Sequence, residues 1–274
     1  MSPDRRWILP TLAAMVAIGV ACAWVVPGRP LWPVAAAGIL FAGAVAVGVT
    51  WVGSGIFGQV LVSGPTAGDR LALTFDDGPA PRFTREIARL LEARGFHGTF
   101  FVVGERAEQH RELLRGLVDA GHEVGTHSYD HSLASSVPAM DWLVRDFRRA
   151  EAAVEGAIGR RPRLYRPPVG LLNPRIHRVA RRGGWTIVGW TVRARDGVPT
   201  SAESLLRRIL PGLRAGAVVL LHDRLRSGTP ASLEALPAIL DELEARGLRG
   251  VTLSALTGVD AYRRDPAAGG GSAG

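Results

Sequence analysis

Two stretches of this sequence carry residue types that do chemistry. "LTFDDGP", Leu73 to Pro79, sets two aspartates side by side at the end of an apolar run and closes with Gly and Pro. "HSYDH", His127 to His131, sets two histidines four residues apart. Adjacent carboxylates repel each other, so the pair needs a cation, a division of labour, or plain solvent. A solvated turn uses Gly and Pro in the same way, but two acids directly after a buried strand fit that reading poorly. Histidines at i and i+4 on a helical turn point the same way and can bind one metal ion. An aspartate from another strand end would complete a His2Asp set, the form of a catalytic site with three protein ligands and an open position for water. The second aspartate would then take a proton from that water. Arg166 in "YRPPVG" would pair with this base and keep it ionised. His222 in "VVLLHD" suits a general acid for a leaving amine, and Asp196 would hydrogen-bond it and raise its pKa.

These residues need a frame. From about Arg70 onward, short runs rich in Val, Thr and aromatics alternate with amphipathic stretches. The runs are "RLALTF", "GTFFVV", "HEVGT", "RLYRP", "WTIVGW", "AVVLL" and "GVTL", which predict buried strands. Phe83, Ile87, Leu90 and Leu91 share one helical face before Gly95; Leu113, Leu114, Leu117 and Val118 do so before Gly121, and Leu233, Leu236, Leu240 and Leu243 before Gly247. Strands alternating with helices predict an α/β fold with parallel strands, an open sheet or a barrel. Asp76 and Asp77 then follow the first strand, His127 and His131 the third, Arg166 ends the fourth, Asp196 follows the fifth, and His222 and Asp223 follow the sixth. All fall at carboxyl ends of strands, the rim on which parallel α/β proteins build active sites.

Composition limits the alternatives. The chain has 274 residues, 47% of them hydrophobic, and a formal net charge of +8. Every basic residue other than histidine is arginine, and the arginines are scattered along helices rather than interleaved with aromatics, which argues against nucleic acid as a partner. Cys22 is the sole cysteine, which excludes an internal disulfide and a cysteine metal site. Charge is absent from Trp7 to Gly28 and again from Pro30 to Gly68, with Arg29 between. Each run exceeds the roughly 20 apolar residues a spanning helix needs, and Trp7, Trp24, Trp32 and Trp51 fall near the ends, where interfacial tryptophans belong. The expectation is a transmembrane helical hairpin over residues 1–56, with Pro27 to Pro30 as a tight connector. Arg5 and Arg6 before "ACA" also fit a cleaved signal peptide, which leaves the second run unexplained. Arg5 and Arg6 before the first run outnumber Arg29 in the connector, which favours an inside N-terminus by the positive-inside rule, so two crossings would return the domain to the cytoplasm. The catalytic domain is assigned to residues 57–262, and the Gly-rich segment 263–274 is expected to be disordered.

"LTFDDGP", "HSYDH", "RPPVG", "RARD" and "LLH", in this order, together with "GTFFVVG" and "GHEVGTH", resemble the motifs of the NodB-type polysaccharide deacetylases, carbohydrate esterase family 4. The resemblance runs from about Phe57 to Leu256. It implies a distorted (β/α)7-type barrel, the NodB homology fold. It implies that Asp76 is the catalytic base, that Asp77, His127 and His131 bind one divalent metal ion (zinc, with cobalt or nickel as options), that Arg166 orients the base, and that His222, tuned by Asp196, is the general acid. Pro168, Val169 and Gly170 would contact substrate, with a backbone N–H for the oxyanion. The implied reaction is metal-assisted attack of water on the N-acetyl or N-formyl group of an amino sugar. The sequence departs from the family pattern at Val169, usually Tyr, at Arg193, usually Asp, and at Gly197, usually Trp. With a cytoplasmic domain, the expected partner is a sugar on a polyprenyl-phosphate carrier at the bacterial inner membrane. The alternatives are an exported acetylated glycan such as peptidoglycan, an O-acetyl xylan ester, or a non-catalytic carbohydrate-binding relative.

Overall fold

The computed structural model describes residues 5–25, 32–132, 139–225 and 228–263. In chain order the strands are β1 (Arg70–Gly78), β2 (Thr99–Val102), β3 (Glu123–Thr126), β4 (Leu164–Tyr165), β5 (Thr186–Ile187), β6 (Val192–Arg193), β7 (Val218–His222) and β8 (Arg249–Val251). The helices are α1 (Ile8–Val25), α2 (Trp32–Thr50), α3 (Pro81–Glu92), α4 (Gly104–Gln109), α5 (Arg111–Asp119), α6 (Met140–Ile158), α7 (Pro174–Gly183), α8 (Ala202–Ile209), α9 (Ala231–Ala245) and α10 (Leu253–Thr257). The strands pair in the order β5-β4-β3-β2-β1-β7-β6, with β8 on the lower part of β1, and every pair is parallel. The sheet curls into a half-barrel. Leu61 bridges to Val188 beyond β5 and Ser63 bridges to Ala217 before β7, so the segment ahead of β1 spans the open side.

Alternation along the strands makes two cores. Side chains one residue apart on a strand face opposite ways. Leu71, Leu73 and Phe75 of β1 join Phe100, Val124, Val219 and Leu221 in the core between sheet and helices, where Phe75 and Phe100 stack with ring centres 5.1 Å apart. Ala72, Phe101, Leu164 and Val218 instead join Leu61 and Val188 in a smaller inner core. Continuing that inner phase by two residues at a time leads from Ala72 to Thr74 and Asp76, from Leu164 to Arg166, and from Val218 to Leu220 and His222. The chemistry-bearing residues are therefore the last inward positions of their strands. Both faces of these strands are buried, which is why they read as continuous apolar runs.

The sequence predicts seven strands, and among the described residues the structure has these seven and one more. The pair Val192–Arg193 forms β6 beside β7. Its two residues are too few to give a periodic signal, and only pairing with Val219 and Leu220 defines it. Asp196 accordingly follows β6, not the strand "WTIVGW".

At the N-terminal end, α1 packs along α2, with Gly19 admitting the side chain of Val34. Helix α2 is long and apolar enough to cross a membrane by length and composition, while α1 offers a shorter described apolar stretch, Ile8–Ala21. Trp7, Trp32 and Trp51 are exposed. Leu9 and Val49 pack on the domain beside Leu172 and Ile176, and the Leu172 N–H donates to the Val49 carbonyl at 3.2 Å. The expected connector, Pro27 to Pro30, and the expected disordered tail from residue 264 on lie outside the described residues.

The outer core carries the main load of folding. Leu236 of α9 is fully buried in it. Leu236→Ala is expected to destabilise the domain by about 2–5 kcal/mol, the range for truncating a buried leucine. Denaturant unfolding of the detergent-solubilised chain measures this, and a loss below about 1 kcal/mol would contradict the packing described.

Candidate active site and metal centre

The adjacent aspartates are reconciled by a bulge. In the β1–β2 register Asp76 pairs with Phe101 and Gly78 with Val102, so Asp77 is the extra residue. Asp77 adopts φ 75°, in the left-handed region that aspartate tolerates better than most side chains. A bulge breaks strand alternation and re-aims side chains, so both carboxylates reach one cavity where a regular strand would send them to opposite faces. Gly78 next to them has no room for a Cβ, because the buried carboxylate of Asp223 occupies that space.

Asp77, His127 and His131 offer ligand atoms that all lie within 4.8 Å of one another. Asp77 Oδ1 is 3.0 Å from His131 Nε2 and 3.5 Å from His127 Nε2. This oxygen is buried, yet it accepts no hydrogen bond of acceptable geometry among the described residues. His127 Nδ1 lies 2.8 Å from the Arg166 carbonyl. A carbonyl only accepts, so Nδ1 carries a proton, and Nε2 is the ring nitrogen left facing Asp77. A buried carboxylate oxygen without a well-placed hydrogen bond, facing two imidazole nitrogens, is a donor set that a divalent cation fits. Burial works to raise the Asp77 pKa, but His127 and His131 hold it below the usual carboxylate range.

The histidine segment is not the helical turn that its spacing suggests. Ser128 and His131 both take left-handed backbone angles, φ 63° and 56°, and the segment between β3 and α6 is irregular. It is held instead by side chains: the Ser128 hydroxyl accepts from the His131 N–H at 2.9 Å, and Asp146 of α6 accepts from the Tyr129 N–H at 2.9 Å. Burial pushes the Asp146 carboxyl up to about 6, with the Tyr129 N–H pulling the other way. The Tyr129 hydroxyl donates to Glu108, and the Arg149 guanidinium lies over its ring at 3.6 Å.

Arg166 is fully buried. Its Nη1 donates to Asp76 Oδ1 at 2.7 Å and to the Thr74 hydroxyl at 2.8 Å, while Nη2 donates to the Gly189 carbonyl at 3.0 Å. The guanidinium lies over the Phe101 ring at 4.2 Å. The other oxygen of Asp76 faces His127 Nε2 at 3.9 Å. Asp76 is thus a buried carboxylate with one oxygen fixed by a cation and the other turned to the metal cluster.

His222 is the register partner of Asp76 on β7. Its Nδ1 lies 2.8 Å from Asp196 Oδ1, and its N–H donates to Asp196 Oδ2 at 3.0 Å. Burial opposes the imidazolium, but the Asp196 hydrogen bond and charge, with Asp76 and Asp77 beyond, raise the pKa to about 9. Asp223 is buried behind the rim, where Thr84 donates to it; burial pushes its carboxyl up to about 7.

All of this borders one cavity of about 480 Å³, lined by Asp76, Asp77, His127, His131 and His222 on its floor. Val169 and Gly170 also line it, whereas Pro168 is buried outside the lining. Val169 is 51% exposed and sits at φ 58°, an outlier for a β-branched residue. Asp196 lies one layer back and acts through His222. Sequence reasoning passed over Thr74, which two-residue spacing from Asp76 would have placed on the same face, and Trp190, which was taken as part of a strand core. Trp190, with Arg193 and Arg195, forms a wall of the cavity.

Residues 63–188 match the family model described as polysaccharide deacetylase. A peptidoglycan-N-acetylglucosamine deacetylase of Bacillus cereus is 34% identical over 68% of this chain and 87% of its own length. A chitooligosaccharide deacetylase of Azorhizobium caulinodans is 31% identical over 64% of this chain and 88% of its own length. Among solved structures, the Bc1960 peptidoglycan N-acetylglucosamine deacetylase superposes with a TM-score of 0.70 at 29% identity, covering 74% of this chain and 95% of that one. The chain belongs to the polysaccharide deacetylase family, the NodB-type carbohydrate esterases of family 4.

Proposed function

We propose that this chain is a metal-dependent hydrolase that removes the N-acetyl group from an amino-sugar glycan. The observation that carries the reading is the placement of two groups across the donor cluster: Asp76, gripped by Arg166 at 2.7 Å, and His222, held protonated by Asp196. A carboxylate and an imidazolium facing one donor cluster from opposite sides suit a base and an acid. Asp77, His127 and His131 would hold the cation, which would lower the pKa of water and polarise the amide carbonyl. Asp76 accepts the water proton through the oxygen that faces His127. Arg166 holds that carboxylate in place. The Val169 backbone N–H serves the oxygen that gains charge, and His222 donates a proton to the departing amine.

The relatives named as deacetylases of peptidoglycan and of chitooligosaccharides support acetylated amino sugars as the substrate class. The apolar helix α2 and the exposed Trp7 and Trp51 at the domain end support a membrane anchor. With both α1 and α2 spanning, the domain faces the cytoplasm, and a sugar on a polyprenyl-phosphate carrier is the substrate within reach. An exported wall glycan is the second reading, favoured by the names of the peptidoglycan relatives.

Three measurements test this. Asp76→Asn is expected to lower acetate release by about 10²–10⁴-fold, the span of general-base catalysis, while retaining zinc; His127→Ala is expected to lose both activity and zinc, read by calorimetric titration. Full activity in either variant would end the mechanism. Because His222 donates only when protonated, activity should persist as pH rises towards about 9 and fall beyond it; Asp196→Asn should move that fall to lower pH, and an unmoved limb would remove His222 from the role. A reporter active only in the cytoplasm, fused at the C-terminus, should give signal; signal from a reporter active only outside would assign the exported glycan.

A further inference from the structure

The rim of the cavity carries charge that hydrolysis of a neutral amide does not require. Arg193 and Arg195 line the catalytic cavity and are exposed. The Arg193 guanidinium lies 5.5 Å from the Trp190 ring centre, an arrangement that holds a cation without neutralising it. Arg195 sits at φ 57° between two anchored neighbours. The Ala194 carbonyl accepts from Arg208 at 3.1 Å, and Asp196 is tied to His222. A left-handed backbone at a residue with a long side chain is kept when its surroundings impose it, and here it presents Arg195 at the cavity wall. An adjoining lobe shares Asp77, His131 and Val169 with the cavity and adds Arg106 and Arg224.

Counter-charge is scarce. Asp76 is neutralised by Arg166. Asp77 belongs to the cation site, and a bound dication makes the floor more positive. That leaves Asp130, which lines the adjoining lobe, and Glu105 beside Arg106, against four guanidiniums, of which that of Arg106 donates to the Asp77 carbonyl. Such a mouth attracts an anion and repels a cation, and planar guanidinium forks match carboxylate and phosphate oxygens.

We propose that the glycan acted on carries an anionic group, a carboxylate or a phosphate, close to the acetamido sugar, and that Arg193 and Arg195 receive it. The proposal rests on the deacetylase reading and narrows it from acetylated amino sugars in general to acidic ones. The two sources of that anion are a carboxyalkyl ether on the sugar ring, as in muramic acid, and the phosphate of a glycosyl carrier lipid.

The test uses the full chain in detergent with three probes: neutral N-acetyl chitotetraose, a muramic-acid-containing tetrasaccharide, and an N-acetylglucosaminyl phosphate ester of a short isoprenyl alcohol. The ratio of kcat/KM on an acidic probe to that on the neutral one is expected to exceed about 10, and Arg193→Gln with Arg195→Gln should lower that ratio about tenfold or more. A ratio that favours the phosphate ester assigns the carrier-lipid source, and one that favours the muramic-acid glycan assigns the carboxylate. A neutral preference, or a ratio that the double variant leaves unchanged, overturns the proposal. The same comparison is made for binding in the Asp76→Asn background, so a chain that released no acetate from any probe would refute the deacetylase reading while affinities still decided this one. Equal affinity of that chain for acidic and neutral probes would overturn the proposal.

Discussion

A buried arginine organises this molecule. A guanidinium removed from water costs several kcal/mol unless a partner and hydrogen bonds compensate, and Arg166 finds Asp76, Thr74, the Gly189 carbonyl and the face of Phe101. Those partners come from β1, from β2 and from the residues that follow β5, so the charge is satisfied only when the half-barrel has curled. The same constraint fixes the chemistry. Asp76 cannot rotate away without stranding the cation, and the Arg166 carbonyl, at the end of β4, sets the tautomer of His127. One residue therefore couples closure of the barrel, the orientation of Asp76 and the placing of His127 against Asp77.

Around that pair, two departures from regular backbone divide the labour of the polar residues. The bulge at Asp77 separates two carboxylates that share a peptide bond into one facing Arg166 and one facing the histidines. The irregular segment after β3 brings His131 round to meet His127, with ring centres 5.1 Å apart. Helices α4 and α6 hold that segment through Tyr129, using Glu108, Arg149 and the buried Asp146. On the opposite side, Asp196 grips His222 by ring and backbone together. The floor is rigid and nearly balanced in charge; the lip, with Arg193, Arg195, Arg106 and Arg224, is cationic. The unpaired positive charge thus lies at the lip, and the pairs Asp76–Arg166 and His222–Asp196 lie at the floor.

Much of this was legible in the residues because strands in a parallel α/β fold obey simple rules. Continuous apolar runs marked doubly buried strands, and polar residues at their ends had to fall on one rim. Asp76, Asp77, His127, His131, Arg166 and His222 stand at or just after the strand ends where this rule puts them, whereas Asp196 follows the two-residue strand β6. The strand β6 escaped because two residues carry no period. The helical turn at "HSYDH" was wrong in conformation although right in consequence, since left-handed residues can bring i and i+4 together as a helix does. Thr74 was hidden because a threonine inside an apolar strand looks like β-propensity until a charge is seen beside it.

The sequence by itself determined the parallel α/β class, the rim and the residue types available for metal, base and acid, because hydrophobic period and strand-end position are local properties. It also marked two apolar runs ahead of the domain. Only the tertiary structure decided which aspartate meets the arginine and which meets the histidines, because a one-residue bulge reverses facing and depends on pairing with β2. Only it gathered four arginines from three separate segments into one lip, since charge density at a cavity mouth arises from closure in space and leaves no pattern along the chain.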